Sequence, residues 1–161
     1  MCWQKIEDDI MDRLSLNDQE IALDFIAFLR SHELEFVRDN GYWKDKIYYI
    51  VNLGTRGVCF IAVKDPDEPD NRWTVWSDDM SSQWLAGYPL EQEIRECAWR
   101  HVDICGNCGS CGGGKPKTIF GRKFECVCGC TFRIDNPSEE ELSFMKKMVE
   151  IRIKEILSQE K

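Results

Sequence analysis

Histidine is nearly absent from this chain, with two residues in 161. No Ser/His/Asp arrangement stands out either, so histidine-centred catalysis is not expected. No run approaches the roughly 18 apolar residues of a membrane helix, and none is expected to span a bilayer. Proline is scarce, at five residues, and the one low-complexity stretch is Gly112-Gly113-Gly114. Lys115 follows those glycines, but the spacing of a phosphate-binding loop is missing. The acidic, proline-containing loop at 65–70 lacks the spacing of a calcium loop. Positive charge is in deficit, with 21 Lys/Arg against 29 Asp/Glu and a net charge of −8. The imbalance lies in residues 1–104, which hold 11 Lys/Arg and 21 Asp/Glu, whereas residues 105–161 hold 10 and 8. Such a chain repels phosphate backbones, so general nucleic-acid binding is not expected. An acidic surface serves solubility, or docking to a basic partner. Met1 to Asp9 carries no apolar signal core and is acidic, which leads to the expectation of a cytoplasmic protein.

What is present suffices for a core: 43% of residues are hydrophobic and 11% aromatic. Ile6, Ile10 and Leu14 make a short helical stripe. A second helix is expected from Asn17, with Asn17 as cap and Glu20 reaching back, and Ile21, Phe25, Phe28 and Leu29 forming its buried face. Alternation at Leu34 and Phe36 predicts a short strand. Residues 46–53 and 58–63 surround Gly54 to Gly57 and read as a β-hairpin. A third strand is predicted over 72–77, with Trp73 and Val75 on one face and Thr74 and Trp76 on the other. A short helix is expected around 81–85, and another on the stripe Leu90, Ile94, Cys97, Ala98 and His101. Residues 117–120 and 123–127 flank Gly121-Arg122 as a second hairpin, which 131–134 extend until Asn136-Pro137. The last helix has the strongest local signal: Ser138 caps, Glu141 closes the box, and Leu142, Met145, Val149, Ile153 and Ile156 form the stripe. The aromatic residues Tyr42, Trp43, Tyr48, Tyr49, Trp73, Trp76, Trp84 and Tyr88 pack the sheet or line a ligand pocket beside the first hairpin.

Nine cysteines are unevenly placed. Cys2, Cys59 and Cys97 are scattered, and Cys59, in an apolar strand, reads as an inert buried thiol. Cys105, Cys108, Cys111, Cys126, Cys128 and Cys130 crowd together. Zinc takes four soft ligands at tetrahedral corners, with sulfur about 2.3 Å away. A Cys-x2-Cys turn presents two thiolates to one ion, and Gly106 and Gly109 let the backbone wrap beneath it. The hairpin at 117–127 then returns the second pair. Cys105, Cys108, Cys128 and Cys130 are the favoured ligands. Cys126, Cys111 and, more weakly, His101 compete for the same places. An iron–sulfur cluster on Cys105, Cys108 and Cys111, a thiol redox pair and disulfides are the rival readings of these thiols.

Residues 105–134 resemble the zinc-ribbon class of four-cysteine modules, departing from it in the Cys126-Val-Cys128-Gly-Cys130 run. The whole chain, with its N-terminal helix, aromatic hairpin and following helix, is similar to small bacterial α+β proteins of unassigned activity. Residues 127–137 look like the tails of small proteins from Gram-positive anaerobes, and that likeness favours Cys128 and Cys130 as ligands.

The expectation is an α+β protein. An antiparallel sheet over 34–77 packs with helices in a domain of residues 1–104. A Cys-rich zinc-binding segment follows at 105–137, and a terminal helix at 138–161 clamps it. Four thiolates close the coordination sphere and leave no position for catalytic water, so the zinc is structural. The chain is then a binding module for a small molecule or a protein. A thiol or iron–sulfur redox enzyme, and an acidic inhibitor or mimic docking on a basic partner, are the alternatives.

Overall fold

The computed structural model describes residues 5–39, 46–65, 69–79, 82–105 and 114–159. In chain order these form α1 (Ile6–Arg13), α2 (Leu16–Ser31), β1 (Glu35–Asp39), β2 (Ile47–Leu53), β3 (Arg56–Lys64), β4 (Thr74–Ser77), α3 (Gln92–Arg100), β5 (Val102–Ile104), β6 (Lys115–Ile119), β7 (Arg122–Asp135) and α4 (Glu139–Gln159). Among the described residues the strands make one antiparallel seven-stranded sheet, ordered β1-β2-β3-β4-β7-β5, with β6 also paired to β7. The chain is therefore α+β, with a long C-terminal helix. None of its described helices is long and apolar enough to cross a membrane.

Helices α1 and α4 pack against β3, α4 also reaches β4, and α2 packs against α1 and α4. The sheet face beneath them carries Tyr49 and Val51, Cys59 and Ile61, Val75 and Ile134, all buried. Ile6, Ile10, Phe25, Leu29, Met145 and Val149 meet them from the helices. Each such side chain contributes roughly 1.5–3 kcal/mol by leaving water. From Trp73 into β4 the residues alternate as predicted: Trp73 and Val75 enter the core, whereas Thr74, buried in register with Ala62, and half-buried Trp76, aligned with Phe60 and Ile50, lie on the opposite face.

Local signals held in part. Glu141 accepts from the Ser138 N–H at 3.1 Å, and the Ser138 hydroxyl accepts from the Glu141 N–H at 3.2 Å, which completes the expected box on α4. The start of α2 differs from expectation. Ser15, not Asn17, is the cap, accepting from the Asp18 N–H at 3.3 Å. Its backbone is extended at ψ 163°, so its hydroxyl reaches the third helical N–H and the first turn starts two residues earlier. The short helix expected near 81–85 is absent among the described residues 82–88. There the Trp84 carbonyl accepts from the N–H groups of Gly87 and Tyr88, forming turns. The strand predicted over 72–77 begins at Thr74.

The β6–β7 hairpin turns at Phe120-Gly121, both at positive φ (46° and 88°), where glycine carries no steric penalty. Strand β7 does not stop at the hairpin. Its far end pairs with β4 through Trp76↔Arg133 and Val75↔Ile134. The Cys-rich region thus continues directly into the main sheet.

Candidate metal centre

Strand β7 changes its inward face partway along. Val127 is buried, and so are Phe132 and Ile134, which fall on the other parity. An extended strand alternates strictly, so extra residues must lie between them. The pairing with β5 locates them. Val102 faces Phe132 and Ile104 faces Val127, leaving Asp103 alone opposite residues 128–131. Cys128, Gly129 and Cys130 occupy this bulge, and Thr131 completes it at φ 50°.

The bulge leaves backbone groups without a ladder partner, and side chains take them over. The β6 pairing ends at Val127 and the β4 pairing ends at Arg133. Between them, Lys117 Nζ donates to the Gly129 carbonyl (3.1 Å), the Cys128 carbonyl (3.4 Å) and Thr131 Oγ1 (2.8 Å). The Ser77 hydroxyl donates to the Cys130 carbonyl and accepts from the Phe132 N–H at 3.1 Å. Buried Asp79 lies with its Oδ2 2.9 Å from the same Ser77 hydroxyl. Burial pushes its carboxyl above the usual carboxylate range.

Two thiol pairs emerge. The Cys105 N–H donates to the Cys126 carbonyl at 3.0 Å, which sets these residues side by side on β7 and the end of β5. Gly114 lies against both: a Cβ there would stand 2.5 Å from Cys105 Cβ and 2.6 Å from Cys126 Sγ. Cys128 and Cys130 form the second pair, two residues apart on the bulge. The neighbouring Cys130 thiol and N–H, together with the Lys117 charge, push the Cys128 thiol down to about 6 against the opposing effect of burial. The Cys128 thiol and burial push Cys130 upward, and the two titrate as a unit. Cys126 and Cys128 flank inward-pointing Val127, so they share the opposite side of the strand.

Cys108 and Cys111 lie outside the described residues. Among those described, no three His, Cys, Asp or Glu side chains are placed to hold a metal together. His101 is engaged elsewhere: its Nε2 lies 3.3 Å from Glu141 and its ring stacks on Phe144. Cys59 is fully buried, and burial pushes its thiol far up. The donors gathered here are all sulfur, the type zinc takes, with Cys105 after β5 and Cys126, Cys128 and Cys130 on β7. The bulge and the Cys105–Cys126 apposition were not foreseen. Their signals in the sequence are Gly129 between two cysteines and Gly114 beside the second strand.

Among the described residues, the aromatic side chains are spread over separate places. Tyr42 and Trp43 lie outside the described residues, Tyr49 and Trp73 are in the core, Trp76 sits under the Arg133 guanidinium, and Trp84 stacks on Tyr88. A small cavity lies instead at the ends of β3 and β4, lined by Val58, Ser77, Asp79, Leu85, Arg152 and Glu155. Comparison of the chain with family models, curated proteins and solved structures gives no match.

Proposed function

We propose that this chain is a zinc-binding protein whose metal is structural. Its ligands are Cys105 and Cys108 after β5 and Cys128 and Cys130 on the β7 bulge, with Cys126 the competitor for a corner because it abuts Cys105. One observation carries the reading: strand pairing brings the first cysteine group against the second, through the bond from Cys105 N–H to the Cys126 carbonyl. Zinc binding to such thiolate sets is worth roughly 10–16 kcal/mol, comparable with the roughly 5–15 kcal/mol stability of a whole domain. The ion can therefore hold a glycine-rich stretch whose sequence offers no large apolar side chain between Gly106 and Gly114. Four thiolates close the coordination sphere, which favours a binding module over a hydrolytic enzyme. A reducing compartment such as the cytoplasm keeps the thiols available, and a small molecule or a protein is the ligand class in view.

Metal analysis of the purified protein, with cobalt substitution, tests this. One zinc per chain and an intense sulfur-to-cobalt charge-transfer band are expected. Bound iron with visible absorption would replace the reading by a cluster, and a metal-free chain would end it. A thiol redox pair is the second reading, favoured by the place of Cys128 and Cys130 together in one bulge. Its signature is a reversible Cys128–Cys130 disulfide in a chain that takes up no metal.

A further inference from the structure

The bulge that carries Cys128 and Cys130 is held from the neighbouring strand by one cation. Lys117 Nζ directs its donors to the Cys128 carbonyl, the Gly129 carbonyl and Thr131 Oγ1, at 3.4, 3.1 and 2.8 Å. These acceptors come from three of the four bulge residues, where the ladder of β7 is interrupted on the side of β6 and β4. An ammonium that merely covered a surface would not concentrate its bonds on one four-residue segment. Lys117 is also the cation that meets a bulge whose Cys130 carbonyl shares the Ser77 hydroxyl with the buried Asp79 carboxyl. A divalent ion with four thiolates carries a net charge of −2, so carboxylates nearby raise the cost of the loaded site and a cation lowers it.

We propose that Lys117 is the positioning residue of the thiolate site: it fixes the bulge that presents Cys128 and Cys130, and its charge offsets that of the loaded centre. The proposal rests on the zinc reading above. It predicts more than a structural lysine would. Affinity for metal should depend on the charge and on the hydrogen-bonding reach of the side chain, while the fold and the number of ions bound at saturation stay the same.

The experiment uses the full chain and compares Lys117→Met, Lys117→Gln and Lys117→Arg with wild type. Zinc affinity is measured by competition with a chelator, and the ligand-field bands are recorded after cobalt loading. The Met variant should bind about ten- to a hundredfold more weakly, as expected when a supporting partner of a metal site is lost. Its cobalt bands should shift although one ion still binds, and Arg should recover most of the affinity. Should the Met variant not fold by circular dichroism, the Gln variant takes its place, with at least a fivefold loss expected. Affinity within about twofold of wild type in the folded, uncharged variant, or an Arg variant as weak as Met, overturns the proposal. Failure of the zinc reading looks different: wild type takes up no zinc, or Cys128→Ser keeps full stoichiometry and affinity.

Discussion

Replacing Gly114 by alanine tests the apposition of Cys105 and Cys126 directly. The new methyl would stand 2.5 Å from Cys105 Cβ, 2.6 Å from Cys126 Sγ and 3.1 Å from the Cys126 carbonyl carbon. Carbon atoms in contact prefer about 3.5–4.0 Å, so the first overlap is about 1 Å or more. Two of the three neighbours are a Cβ and a backbone atom, which cannot swing away as a side-chain tip would. Strand β6 must move from β7, or the two cysteines must separate. Overpacking of this kind costs about 1–3 kcal/mol. For a domain of this size that lowers the melting temperature by roughly 2–4 °C per kcal/mol. Gly87→Ala is the control, because a Cβ there meets nothing within 4 Å; it should stay within about 0.5 kcal/mol of wild type. Thermal and urea unfolding read both variants, and zinc affinity should fall in Gly114→Ala alone. A Gly114→Ala protein with wild-type stability and metal affinity would refute the close approach of Gly114 to both cysteines.

The remaining expectations address other parts of the molecule. Cys105→Ser and Cys128→Ser should lose bound zinc and loosen the region around β7, whereas Cys59→Ser should keep full metal content; equal loss in all three would dismiss the ligand assignment. In metal-free protein an alkylating reagent should modify exposed Cys126 within minutes and leave Cys59 untouched until denaturant is added, as mass spectrometry can show. Burial holds the His101 imidazole below its usual value of 6.5, so the unfolded chain takes up the proton first on acidification. The contribution of His101 is therefore complete above about pH 6.5 and is lost as pH falls through the lower folded value. Urea midpoints of the metal-free protein should drop between pH 7.5 and 5.5, less steeply in His101→Gln, and an unchanged slope would count against a buried neutral ring. Tyr49→Phe removes the hydroxyl that donates to buried Asp9 and should cost about 1–3 kcal/mol in thermal unfolding.

Much of the fold was readable because it rests on neighbours in sequence. The Ser138–Glu141 box, the stripe of α4, both hairpins and the alternation across Trp73 to Trp76 depend on spacings of two to four residues. The cap of α2 shows the limit of such local reading, since Ser15 and Asn17 both suit the position and the backbone angle at Ser15 decided between them. Buried charge was invisible for a different reason. Glu155 lies on the inner side of α4 because residues 82–84 supply it with the Ser82 hydroxyl and the N–H groups of Gln83 and Trp84. Those donors are more than 70 positions away in sequence, beyond the reach of any periodic pattern.

The thiol region divides along the same line. Cysteine spacing and the adjacent glycines pointed to sulfur as the donor and to the stretch of chain that carries it, because sulfur chemistry belongs to the residues themselves. Which thiols stand together was decided by tertiary structure. Asp103 alone faces four residues of β7, so the strand bulges at Cys128 to Thr131, and Ser77 and Lys117 bind the backbone groups thus released. A strand register is a sum over partners from distant parts of the chain, and such a sum is not written in any one segment.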